Sequence, residues 1–406
     1  MIQNSEMRTK NKFSNIEKMI TMCEPVYDKM AEAGLINVTG TFVGRDRLKL
    51  ANGKIIMNMS SCCYLGLNDH PDVRQGLFDG INDAGGVMQL VNAGFRIRLS
   101  LQDEVADEFS EFFGCGAWLT TNCAMAALGT LPMLAAGIFT NGERPLMVFD
   151  KHAHFCMNYM KANCDDESEV VTIAHNDMDA LEDLCKKHRK VAYICESIYS
   201  TGGAAPMEDI LRLQDQYGMF IYIDEAHGLS ISGKQGKGLT MEMMGELNDN
   251  TMIITSLSKG FGANGGGLVL FKNKKFRSLI QRYGGPMLWS APLGAAMWGS
   301  ARASLRLHKD GTVDKLQKEL RRKVEHFDRE LGITGMDPWS GVRVVNIEDQ
   351  EKLFHAGQTL LEKGYYTSTI TFPTVKKSDS GLRIMIRTNM YDEEINEFIS
   401  ILKEVR

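Results

Sequence analysis

Apolar and polar positions follow two rhythms along this chain. Between residues 70 and 290, stretches with an apolar residue every three or four positions alternate with short, nearly continuous apolar runs. The first rhythm predicts helices over 71–82, 101–113, 124–136, 177–188 and 207–217. The second predicts buried strands at 146–149, 191–195, 219–223, 252–255 and 267–271, because a strand covered on both faces has no polar side to alternate with. Strands and helices in this order imply an α/β fold, a mostly parallel central sheet covered by helices.

After about residue 292 the texture changes. A long charged helix is expected over 313–331, then a strand at 342–347, a helix at 350–363, strands near 365–372 and 382–387, and a last helix from Asp392. The start of the chain predicts an amphipathic helix over 16–33 and short strands near 41–50 and 54–57. The expected organisation is therefore an N-terminal segment (1–60) packing with the small domain, a large domain (61–291) and a smaller α+β C-terminal domain (292–406). Neither internal repeats nor long linkers interrupt it.

Composition narrows the possible functions. The 406 residues, 44% hydrophobic, suffice for two cored domains. A net charge of −5, from 46 basic and 51 acidic residues, gives no electrostatic reason to expect nucleic acid. The longest apolar run, 129–140, contains Pro132 and is too short to span a membrane. The N-terminus is polar, without the apolar core of a signal peptide. Nine cysteines with no Cys-x-x-Cys pair fit reduced thiols in a cytoplasm; Cys62 and Cys63 read as two small packed residues.

Candidate chemistry collects behind the strands. Ligands of open parallel sheets bind beyond the strands' carboxyl ends. Asp150 and His154 follow the run at 146–149, and Glu196 and Ser200 that at 191–195. Asp224 and His227 follow 219–223, and Ser256, Ser258 and Lys259 follow 252–255. Any one of these is ordinary turn chemistry; four together on one rim are not. A carboxylate ending an apolar strand, as Asp224 does, needs a cation, and a protonated pyridine nitrogen is suitable. A Walker-B role fails because no Gly-x-x-x-x-Gly-Lys-Ser/Thr loop lies upstream.

Lys259 sits in Thr-Ser-Leu-Ser-Lys-Gly-Phe-Gly, a small-residue loop at the core's edge where an amine is desolvated enough to act neutral. The glycines after it run into a strand rather than a helix, which argues against a dinucleotide loop. Thr121-Asn122-Cys123 precedes a helix and forms either a phosphate cradle or a plain N-cap. His152-x-His154 lacks further ligands at metal spacing, so no metal is expected; an imidazole stacked on a flat ring fits better.

Tyr64-Leu-Gly-Leu-Asn-Asp-His-Pro, Asp224-Glu-Ala-His-Gly, Gly236-Lys-Gly and Ser256-Leu-Ser-Lys259-Gly-Phe-Gly together resemble the α-oxoamine synthase family of fold-type I pyridoxal-phosphate enzymes. The resemblance runs from about Tyr64 to Arg383. It implies an aspartate-aminotransferase-like fold and pyridoxal 5'-phosphate bound to Lys259 as a Schiff base. It further implies His154 stacked on the ring, Asp224 on its nitrogen, Ser200 and His227 on its phenolic oxygen, and Ser256 with the amides of Asn122 and Cys123 on its phosphate. Arg383 matches the family's carboxylate-binding arginine and Glu196 a carboxylate of the same cleft. A homodimer with a shared active site is implied too, Ser290 reaching the neighbour's cofactor.

Four segments depart from the family pattern: Val91 to Leu99 in place of a glycine-rich stretch, Cys62-Cys63 before Tyr64, Thr121-Asn122-Cys123, and Trp289-Ser-Ala-Pro. The implied reaction is condensation of an α-amino acid with an acyl thioester, with decarboxylation, to an α-aminoketone. The alternatives are another reaction on the same cofactor (transamination, aldol cleavage, β-elimination) or a silent relative. Finally, Arg383 and Arg387 lie four apart in one expected strand and so share a face. Arg387 is accordingly expected in the substrate cleft, the alternative being solvent or Glu393 and Glu394.

Overall fold

The computed structural model describes residues 11–86, 96–337 and 339–406. Helix α1 (Ile16–Glu32) leads into strands β1 (Gly40–Phe42), β2 (Arg47–Leu50) and β3 (Ile55–Asn58). Helix α2 (Pro71–Asp83) begins with Pro71 at its first turn, where a missing N–H costs nothing. Gly76 and Gly80 on α2 pack against Gly299 of the helix Ala295–Lys309; a Cβ on Gly80 would lie 2.3 Å from the Ala295 carbonyl oxygen. Only glycines allow so close a crossing.

The central sheet follows: α3 (Ser100–Phe113), β4 (Gly116–Thr120), α4 (Cys123–Ala135), β5 (Leu146–Asp150), α5 (Phe155–Asn158), β6 (Val170–Ile173), β7 (Val191–Glu196), β8 (Phe220–Asp224), β9 (Thr251–Ser256) and β10 (Gly267–Phe271). Their order is β4-β10-β9-β8-β7-β5-β6. Strands β5 to β9 pair in parallel, while β10 runs antiparallel to both β9 and β4. Each apolar run serves two cores at once. Ile221 and Ile223 pack with Val148 and Leu268 on one face, and Phe220 and Tyr222 with Phe149 and Val269 on the other.

The expected strands agree with the structure to within a residue or two, and at β7 and β8 the strand extends onto the carboxylate itself. Strands β4 and β6 are additions. They are the two edges of the sheet, and both are short, β4 with five residues and β6 with four.

Toward the C-terminus, β11 (Val342–Asn346), β13 (Ser368–Ile370) and β14 (Gly381–Met385) form an antiparallel sheet in the order β11-β14-β13. The short β12 (Tyr365–Tyr366) instead pairs in parallel with β3, tying the chain's start to this region. Strand β14 ends at Met385, two residues before the expected strand does.

Candidate active site

Strands β7, β8 and β9 end side by side, on Glu196, Asp224 and Ser256. Glu196 and Asp224 are partners in the strand register, and both are buried. Burial first, and the Asp224 carboxylate second, push the Glu196 carboxyl well above the ordinary glutamate range. Asp224 Oδ1 accepts the Ala226 N–H at 2.8 Å, and the Cys123 thiol lies 3.6 Å from Oδ2.

Lys259 follows β9. Its Nζ lies 2.9 Å from His227 Nε2, and His227 Nδ1 lies 2.7 Å from the hydroxyl of Tyr64. Burial drives His227 well below the usual imidazole range, helped by the nearby charge of Lys259 and Arg383. The ring is therefore neutral, and burial keeps the Tyr64 phenol protonated. Sequence reasoning passed over Tyr64, although it opens the Tyr-Leu-Gly-Leu segment. Nothing local marks its hydroxyl; the partner lies in a turn far along the chain.

Arg383, on β14, donates from Nε to the Ser200 carbonyl at 2.5 Å, which brings the C-terminal sheet against the loop after β7. Ser200 N–H in turn donates to Glu196 Oε2 at 3.2 Å. Ser256 and Ser258 share a hydrogen bond between hydroxyls 3.0 Å apart. His154 caps α5, with Nδ1 at 3.1 Å from Cys156 Sγ, and its ring is exposed. The neighbouring Cys123 thiol, with His154 adding to it, holds the Cys156 thiol below the ordinary cysteine range against the opposing effect of burial. Cys123, Cys156, His154 and Asp224 thus form one polar cluster under the strand ends.

Asp150 ends β5 but is no free acid. Burial would raise its carboxyl, yet hydrogen bonds from His175 and from the amides of Asn176 and His152 hold it low. It fastens the turn that carries His154.

Thr121-Asn122-Cys123 leads into α4. Asn122 Oδ1 accepts the Met125 N–H at 2.8 Å, so its side chain serves as the N-cap. Gly267 on β10 lies against this turn; a Cβ there would sit 2.4 Å from the Asn122 carbonyl carbon. The amides of Cys123 and Ala124 precede the first helical hydrogen bond, from Ala126 to Asn122, and lie at the positive end of the helix. Ser290 lines a pocket with Thr120, Thr121, Met125 and Arg98, next to the same turn.

Arg387 is enclosed by the fold, which corrects the alternative of solvent or Glu393 and Glu394. It is buried, with Nε 3.4 Å from Asp46 Oδ2 and Nη1 donating to the Met385 carbonyl at 3.1 Å. It meets neither solvent nor Glu393, and its Nη2 is buried with no hydrogen-bond partner. Glu394 pairs instead with Arg45 and Arg47. The strand stops before position 387, so the two-residue period that would have aligned the arginines no longer applies.

The donor set fits a flat, anionic pyridine cofactor. A buried carboxylate waits for a cation, a primary amine lies beside a neutral imidazole, and a helix N-terminus offers amides to a phosphate. Glu196 Oε1, buried without a protein partner, adds a polar atom the fold itself does not use. Among the described residues no cluster of His, Cys, Asp or Glu is placed to hold a metal, and no helix is long and apolar enough to cross a membrane. The departing segment from Val91 onward lies outside the described residues as far as position 95.

Comparison with known proteins gives a consistent result. The profile of the family "Aminotransferase class I and II" matches residues 54–402. The 8-amino-7-oxononanoate synthase of Alkaliphilus metalliredigens is 26% identical over 377 residues, covering 88% of this chain and 89% of its own. The serine palmitoyltransferase of Sphingomonas wittichii superposes with a TM-score of 0.83 at 20% identity, over 97% of this chain and 98% of its own. That of S. paucimobilis, solved with a PLP–myriocin aldimine, gives 0.80 at 20% identity over 96% and 98%.

Proposed function

The chain belongs to the aminotransferase class I and II family, and from that premise we propose that it is a pyridoxal-phosphate-dependent acyltransferase of the α-oxoamine synthase type. Its reaction is condensation of an α-amino acid with an acyl thioester, loss of carbon dioxide and release of an α-aminoketone. The observation that carries this reading is the Lys259 amine held 2.9 Å from a neutral His227, beside a buried Asp224. The curated relatives support the acyl-transfer half.

In this reading Lys259 would hold the cofactor covalently, Asp224 would pair with its ring nitrogen and His154 would cover one face. Ser200 and His227 contact its phenolic oxygen. Ser256 and the amides of Asn122 and Cys123 take the phosphate, with Ser290 arriving from the partner of a homodimer. When bound, pyridoxal phosphate supplies a protonated conjugated ring that accepts the electron pair left at the amino acid's α-carbon.

The chain's own groups do the rest. Arg383 grips the substrate carboxylate; its Nε is already fixed on Ser200, which leaves the terminal nitrogens free to form the fork. Released once the substrate's amino group takes its place on the cofactor, Lys259 Nζ would take the α-proton and later return a proton to the same carbon. His227 stays neutral and orients Nζ without competing for its proton. Asp224 would face the ring nitrogen and favour its protonated form. The free thiols of all nine cysteines accord with a cytoplasmic site of action.

The test is a panel of amino acids given to the reconstituted enzyme with and without acyl-CoA, reading free thiol and carbon dioxide together. Stoichiometric release of both supports the reading. Turnover of an amino acid with no thiol released moves the enzyme to another reaction on the same cofactor.

A further inference from the structure

Glu196 and Asp224 end neighbouring parallel strands and stand opposite each other in register. Register partners on paired strands point to the same face, so the sheet sets two carboxyl groups side by side, exposed by only 2% and 3%. Two groups so close and so dry do not both ionise, because each charge destabilises the other and neither is hydrated. The hydrogen-bond donors decide which keeps the proton. Asp224 has the Ala226 amide on Oδ1 and the Cys123 thiol near Oδ2. Glu196 has the Ser200 amide on Oε2, and its Oε1 is buried without a protein partner. Negative charge on Oε1 would go uncompensated.

We propose that Glu196 keeps its proton on Oε1 in the working enzyme and acts as a positioning residue that confines the pair's single negative charge to Asp224. The groups facing the pair are Lys259 after β9, Cys123 on α4, His154 and Cys156 at α5, and Arg383 on β14, the last anchored to Ser200. Lys259 favours ionisation of Glu196; burial and Asp224 oppose it and outweigh it. The consequence rests on the proposed function: a second negative charge here would draw the cofactor's proton away from the axis between Asp224 and the ring nitrogen.

Infrared difference spectroscopy on the cofactor-free protein tests the protonation state directly. Wild type at pH 7 should show a buried carboxylic-acid carbonyl band that shifts in D₂O and is lost in E196Q. Glu225, also buried with a raised carboxyl, contributes its own band, so the component read is the one E196Q removes. In D224N that component should titrate at a pH lower by about one unit, a tenfold loss of proton affinity. Coincident wild-type and E196Q spectra at pH 7, or an unmoved midpoint in D224N, overturn the proposal. If E196Q fails to fold, ¹³C-labelled glutamate in wild type and D224N reads the same midpoints. No arm contains pyridoxal phosphate, so the outcome is independent of whether the enzyme condenses acyl thioesters. In the loaded enzyme, the visible band should respond to rising pH in wild type and not in E196Q.

Discussion

Two buried pairs of ionisable groups divide this molecule's work. At the rim of the central sheet, Glu196 and Asp224 are two acids delivered in register by adjacent strands, with a primary amine nearby. Below the C-terminal sheet, Arg387 and Asp46 are opposite in sign, and Asp46 also accepts from Ser61 at 2.6 Å and Asn389 at 2.8 Å. The first pair holds two acids against each other, whereas in the second each charge faces an opposite one, with Arg387 Nη2 buried and unpartnered. Two acids buried together mark a site for chemistry; opposite charges buried together mark a join between distant parts of the chain. Arg383 and Arg387 show the contrast within five residues, one half-buried at the loop after β7 and the other sealed on Asp46.

The comparison can be broken at either end. Lys259→Ala should give the largest effect, a loss of turnover of at least roughly 10³-fold with nearly unchanged melting temperature. Steady-state thiol release and calorimetry read both, and a loss below tenfold would remove the rim from the chemistry.

Asp46→Ala should do the reverse. It strands Arg387 without a counter-ion and should cost about 3–5 kcal/mol of stability by denaturant titration. Combining it with Arg387→Met should recover most of that loss.

Arg383→Ala should raise KM for every amino acid by about 30-fold, near 2 kcal/mol, as expected for a hydrogen-bonded charge. Its stability should stay close to wild type. A selective loss for anionic substrates in Arg387→Ala would return Arg387 to the cleft and undo the contrast.

The smallest effect concerns pH. His227 is held well below its ordinary value, and burial lowers His308 to about 4. Below pH ~6.5 the unfolded chain takes up protons that these folded imidazoles refuse, so stability falls as the solution is acidified toward pH 4. At pH 5 the His308 share is about 1–2 kcal/mol. His308→Gln should flatten that part of the decline in thermal melts. Glu196, with a raised carboxyl, works in the opposite sense: it favours the fold most at low pH and loses that contribution as pH rises.

Much of this was legible in the residues because strand and helix periods are local. The run Phe-Ile-Tyr-Ile-Asp announces a strand with both faces covered, and its carboxylate falls at the one edge where parallel strands all end. The order of Asp224, Ser256 and Lys259 therefore mapped directly onto neighbouring positions. What the sequence by itself could not determine were the meetings of residues far apart in the chain. Edge strands β4 and β6 are short and broken by polar or small residues (Gly116, Thr120, Thr172), so they left a weak trace. Tyr64 reaches His227, and Asp46 captures Arg387, through packing of the N-terminal segment against both sheets. Whether a buried carboxyl holds its proton, and whether an arginine faces substrate or a counter-ion, depends on charges a few ångströms away. Only the tertiary structure decides which charges those are.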